Sequence, residues 1–211
     1  MSKPNESMVS FISNIIQTTV GFLLNPVETF QQHDDTSFIQ AFQYFGALIV
    51  FYAVLSTITI GALSHLLIYA QEPFAFGSLL FISLLSLFFA ILRFISGVFF
   101  WCLFQHIFVL LMGGEYGINQ TLKVIMYSSV PALIFGWILA TLPIMSDIPT
   151  MVTLSLIISS IIYIWVLVLQ VLGIRELHKI STARAICAVC IPVAIVALIW
   201  FLFIGYIMLT F

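Results

Sequence analysis

Few side chains in this sequence of 211 residues can do chemistry, and most of those stand in apolar surroundings. Cys102 precedes His106 by one helical turn, so on a helix the thiol and the imidazole share a face and form half of a soft-metal site. Cys187 and Cys190 make a C-x-x-C inside an apolar helical segment rather than at the strand-to-helix turn where redox pairs act, so they are read as small lipid-buried residues. His65 and Arg93 also lie in apolar runs. A charge at membrane depth costs roughly 2.5–3.5 kcal/mol on insertion scales, so Arg93 either faces a cavity or a partner, or snorkels to an interface. The stretch Gly113-Gly114-Glu115-Tyr116-Gly117 lacks the G-x-x-x-x-G-K-[ST] spacing of a phosphate loop and follows no strand. Its glycines are read as the stop of a long helix. There is no H-E-x-x-H, no G-x-S-x-G and no intramembrane pair of carboxylates, so the expectation is no catalytic residue, no metal and no cofactor.

The densest chemistry is in GIRELHKISTAR, residues 173–184, which holds Arg175, Lys179 and Arg184, three of the six Lys and Arg residues. With His178 these side chains are candidates to meet lipid phosphates or an acidic protein partner, and Glu176 tempers their charge.

The elements that must position these residues follow from composition. With 63% hydrophobic and only 7% charged residues, the chain is far outside the range of soluble domains and reads as one membrane domain. A net charge of −2 with six basic residues leaves no basic surface for nucleic acid. Three cysteines in apolar runs supply no extracellular disulfide framework.

The expected fold is all-α: a polytopic bundle of five transmembrane helices preceded by an amphipathic interfacial helix. In the cytoplasmic segment 1–40, Met8 to Leu24 places Phe11, Ile12, Ile15, Ile16, Val20 and Leu23 on one helical face and Ser13, Asn14, Gln17, Thr18 and Gly21 on the other. It has no signal-peptide pattern. Lying flat at the membrane surface and packing on the bundle with its polar face in water both remain open, because basic residues that would grip anionic lipid are missing. Asn25-Pro26 ends this helix.

The membrane domain, 41–211, contains runs at about 41–69, 76–112, 121–145, 151–172 and 185–211, each long enough to cross about 30 Å of hydrocarbon. The second run exceeds the bilayer and must tilt, bend or protrude. Pro131, behind Ser128 and Ser129, predicts a kink in the third. Lys3, Lys123, Arg175, Lys179 and Arg184 fall on one side of this map and Glu72 and Asp147 on the other, which places the amino terminus in the cytoplasm. Splitting the second run at Arg93 would give six crossings, but no turn residues surround it.

Three stretches carry a family resemblance: LLNPVETF at 23–30, with Pro26, Glu28 and Phe30; HIFVLLMGGEYGINQTLKVIMYSSVP at 106–131, with Gly113, Gly114, Gln120, Thr121, Tyr127 and Pro131; and WVLVLQVLGIRELHKISTARAICAVCIP at 165–192, with Gly173. Together they resemble the Yip-one family of multi-pass membrane proteins, named for interaction with Rab-type GTPases in eukaryotic vesicle traffic. The resemblance implies five membrane helices, a cytoplasmic amino terminus and no enzymatic activity. Eukaryotic members carry a long polar amino-terminal region, whereas only about forty residues precede the first expected span here. That departure resembles the short prokaryotic branch, for which the cell membrane would be the location, and Rab binding is not carried over. The expected role is membrane organisation or trafficking through lipid or protein contacts on the cytoplasmic face, with oligomeric state left open. The rival expectation is a small transporter or channel using Arg93, His65 and His106 around the Pro131 kink.

Overall fold

Long apolar runs leave backbone groups no water to bond, so the chain has to satisfy them within helices. In the computed structural model, which describes residues 4–67, 75–141 and 149–210, all regular structure is helical. The helices are α1 (Pro4–Leu24), α2 (Pro26–Gln32), α3 (Phe38–Leu67), α4 (Ala75–Leu111), α5 (Ile118–Ser128), α6 (Val130–Thr141), α7 (Pro149–His178) and α8 (Thr182–Thr210). Lys3, Glu72 and Asp147 lie outside the described residues, as do the side chains of His65 and the Asn5-Glu6-Ser7 acceptor.

Four helices are long and apolar enough to cross a membrane, within Phe38–Ile60, Leu87–Leu111, Thr150–His178 and Thr182–Met208. Taken together as one broken span, α5 and α6 make a fifth, bent by 41°. The bend falls at Ser129, beside Pro131, which has no N–H to continue the ladder. Ser128 Oγ and Ser129 Oγ donate back to the carbonyls of Val124 and Ile125, at 2.6 and 2.7 Å, a bonding pattern that bends helices. The expected kink is therefore present.

Helix α4 runs unbroken through Arg93, so a six-crossing split has no break there. It stops where the glycines were expected to stop it. Gly113 has a φ of +86°, its N–H bonds the Leu110 carbonyl at 3.0 Å, and the Gly114 N–H bonds the Val109 carbonyl at 2.9 Å, the paired bonds of a Schellman cap.

The helix of the fourth run does not end at 172. Helix α7 continues through Gly173, Arg175 and Glu176 to His178, and only Lys179, Ile180 and Ser181 link it to α8. Gly173 serves packing instead: a Cβ there would lie 2.7 Å from Phe30 Cζ and 2.8 Å from Val124 Cγ1, so its absence lets α7 press against α2 and α5. The true terminator is Lys179, whose φ of 53° is an uncommon left-handed conformation for a side chain of its size.

The core joins the amino-terminal segment to the bundle. Phe22 of α1 stacks on Tyr127 of α5 with ring centroids 4.7 Å apart and meets Phe30 of α2 edge-on at 4.8 Å. Around them lie Tyr44, Phe45, Ile49, Leu133, Ile174 and Leu177, all buried. Helix α5 is the hub, buried from Thr121 to Ser128 and packed against α3, α4 and α7. It also carries Thr121, Lys123 and Ser128, which its neighbours shelter from lipid. Large apolar side chains such as Phe88, Phe100, Leu156, Trp200 and Phe201 are exposed on the outside of α4, α7 and α8, the surface a bilayer would cover.

Candidate functional site

One end of the bundle gathers most of the polar chemistry. There the carboxyl ends of α4 and α7 meet the amino end of α5, and the α2–α3 link folds over them. At its centre the Thr121 hydroxyl stands 2.8 Å from His106 Nδ1 and 3.0 Å from His178 Nε2, hydrogen-bonding both imidazoles. His178 is fully buried, and its Nδ1 has no partner among the described residues. A Cβ on Gly114 would come within 3.2 Å of that nitrogen, so the glycine turn closes directly over it. Just above, toward the interior, Gln105 donates to the Gln170 side-chain oxygen at 3.3 Å.

A second layer neutralises charge. Lys123 is buried, and its ammonium donates to the backbone carbonyls of Asp34 at 2.7 Å and Thr36 at 3.2 Å. Lys179 pairs with the Asp34 carboxylate at 2.8 Å, an interaction that holds its ammonium above the usual lysine range. Arg175 pairs with Glu176 at 2.6 Å, and Glu176 accepts a further bond from Gln31 Nε2 at 2.9 Å. Arg184 is exposed and has no ion pair among the described residues; its guanidinium nitrogen lies 3.4 Å from where a Gly113 Cβ would be.

These positions correct one expectation. His178 was grouped with Arg175, Glu176, Lys179 and Arg184 as part of an accessible loop, but it points into the protein and bonds Thr121, because α7 extends past Gly173 and carries its last turn inside the fold. Lys123, expected near the start of the third run, stands inside α5 and is consumed by carbonyls of the amino-terminal segment. The network partners Asp34, Gln31 and Thr36 had been overlooked. Asp34-Asp35 is the only adjacent acidic pair in the chain and lies in a short polar link, a signal that was available.

The family-motif residues fall in or beside the same layers. Pro26 begins α2 in the position where its missing N–H costs nothing, and Glu28 accepts from Gln32 Nε2 at 3.3 Å. Phe30 and Gly173 touch, while the Tyr127 hydroxyl lies 3.3 Å from Thr36 Oγ1. Gln120 Oε1 is buried without a partner among the described residues. Pro131 is buried at the bend.

Arg93 does not join this assembly. It is exposed on the flank of α4, with its guanidinium 5.3 Å from the centroid of the Phe94 ring. His106 is bonded to Thr121, so the two do not converge on a pathway. Cys102 and His106 remain two ligands, and no group of three or more His, Cys, Asp or Glu among the described residues could hold a metal ion. A separate cavity of about 660 Å³ lies between α1, α2 and the start of α3, lined by Asn14, Gln17, Gln43 and Tyr44 together with Phe11, Ile15 and His33.

An all-helical membrane bundle with a polar, internally paired cap at one end defines a polytopic membrane protein. The Yip1 domain family matches residues 20–204, most of the chain, and the chain belongs to that family. No curated protein and no solved structure matches it.

Proposed function

We propose that this Yip1-family protein works without catalysis, through protein or lipid contacts made at the polar end of the bundle, which faces the cytoplasm. The observation that carries this reading is the uneven distribution of chemistry. Ion pairs and buried polar networks gather where α4, α5 and α7 meet the α2–α3 link, while the flanks of the long helices present apolar side chains. A transport pathway needs polar groups converging near the midplane. Arg93, the charge nearest to such a role, instead faces outward. Membrane organisation or trafficking fits a bundle with one chemically rich face.

The test compares the chain with Arg184→Glu in affinity capture from gently solubilised membranes, quantifying co-purifying proteins and lipids. The variant is expected to elute and melt like the parent but to lose part of its co-purifying set. Gradient-driven flux of ions or solutes through the reconstituted chain, absent from empty vesicles, would overturn the reading in favour of transport.

A further inference from the structure

Helix α1 carries a wider apolar arc than the bundle covers. At 3.6 residues per turn, Ile15, Thr19 and Phe22 form one strip, which meets the core: Phe22 is fully buried, and the Thr19 hydroxyl lies 2.9 Å from that of Tyr44. Beside that strip runs another, Ile12, Ile16 and Val20, flanked by Met8 and Leu24, and it is turned outward. Ile12 is 49% exposed, Ile16 59% and Val20 47%. Beyond it comes a polar strip of Ser13, Asn14, Gln17 and Thr18, part of which lines the cavity between α1, α2 and α3. The helix thus presents a cavity-lining side and an uncovered apolar strip, held to the bundle by Phe22.

Two observations identify what covers the strip. Helix α1 packs against α6, half of the broken span, so it lies beside a helix of the membrane domain. Charge is the second. From Ser7 to Val27 the sequence contains no Asp, Glu, Lys, Arg or His, so an acidic or basic protein surface finds no complement there and anionic lipid finds no cation.

We infer that α1 is a tethered lipid-packing sensor: its strip of Ile12, Ile16 and Val20 inserts between loosely packed headgroups, and the depth of insertion depends on membrane curvature rather than on lipid charge. An interfacial helix held by apolar area alone depends on the gaps between headgroups, which widen as curvature rises. A lysine-bearing helix would add attraction to anionic headgroups and mask that dependence. The spans keep the chain in the membrane throughout, so curvature changes only the engagement of α1.

The experiment uses the full chain with Cys187→Ser and Cys190→Ser, leaving the buried Cys102, and attaches an environment-sensitive fluorophore through Ile16→Cys. The labelled protein is reconstituted into small and large phosphatidylcholine vesicles, with and without phosphatidylserine, at low and high salt. Emission is expected to shift to the blue and strengthen in small vesicles, with no response to phosphatidylserine or salt. The same label at Asn14→Cys, on the opposite side of the helix and lining the cavity, should stay water-like. Adding Ile12→Asp and Val20→Asp should abolish the size response while leaving elution and melting unchanged, since neither residue enters the core. Three outcomes each overturn the inference: emission that tracks phosphatidylserine or salt, emission equal in all vesicles, or emission that tracks protein-to-lipid ratio, which would mean a second copy covers the strip.

Discussion

Replacing Thr121 by Val tests whether its hydroxyl holds the polar end together. The two side chains have nearly the same shape, so the change removes hydrogen bonding and little else. A hydroxyl has one proton, so Thr121 donates to one imidazole and accepts from the other, across 2.8 Å to His106 Nδ1 and 3.0 Å to His178 Nε2. His178 Nδ1 is already without a partner. Valine would therefore leave a fully buried imidazole unpaired at both nitrogens, at a cost of about 1–3 kcal/mol for the newly stranded group. Half-buried His106 can turn to water, which keeps the sum near 2–3 kcal/mol. Serine keeps the bridge and loses one methyl, about 1 kcal/mol. At roughly 2–4 °C per kcal/mol for a chain of this size, Thr121→Val should melt about 4–12 °C below the parent and Thr121→Ser about 2–4 °C below. Unfolding in detergent is commonly irreversible, so all forms are scanned at one rate by intrinsic tryptophan fluorescence. In a His178→Leu background the valine should cost much less, because the group it strands is gone. A Thr121→Val protein that melts at or above Thr121→Ser would refute the bridge.

Gly173→Ala should lower the melting temperature, since overpacking against Phe30 and Val124 costs about 1–3 kcal/mol and exceeds the roughly 1 kcal/mol gained in helix propensity; Gly97→Ala, with nothing within 4 Å, is the control and should not lower it. Arg93 stands 18 residues before the end of α4 at Leu111 (111 − 93), about 27 Å along the axis, close to the full hydrocarbon thickness, so Arg93→Leu should leave insertion intact and melting unchanged or raised. In a glycosylating eukaryotic membrane Asn5 and Asn119 should both stay unmodified, and a glycan on either would reverse the assigned orientation. Arg184→Lys should weaken partner capture at constant charge, because an ammonium cannot form the planar fork, whereas equal recovery would leave this residue with orientation as its role.

Signals that act within one turn of chain were legible in the sequence. Pro131 removes a donor from its own helix, and Gly113 takes a left-handed φ that ends its own helix, so each feature appears where local chemistry places it. The packing role of Gly173 was not legible because its reason lies elsewhere: Phe30 and Val124 are distant in sequence, and only folding brings their side chains to where a Cβ would be. What receives Lys123 was hidden for the same reason: the Asp34 and Thr36 carbonyls are far from it in sequence and meet its ammonium only on folding. The outward strip of α1 was half legible: periodicity gave the apolar face, but which part of it the core would cover depended on Phe22 finding Tyr127 and Phe30.

The basic residues of 173–184 acquire a different meaning once their partners are known. A positive cluster at the end of a membrane helix reads as a free surface, yet two of its three basic side chains are engaged within the fold: Arg175 by Glu176, and Lys179 by Asp34. Exposed pairs of this kind contribute little stability each. Their geometry matters more, because Gln31 and Asp34 belong to the segment that precedes the first long helix. Phe22, Phe30 and Thr19 hold that segment on its apolar side, and on its polar side Lys179 and Glu176 join Lys123 in securing it. Lys179 adopts its left-handed conformation in the residue that ends α7, and its ammonium reaches Asp34. Lys179 thus helps close the amino-terminal segment onto the folded bundle, leaving Arg184 as the exposed basic side chain of the cluster without an ion pair among the described residues.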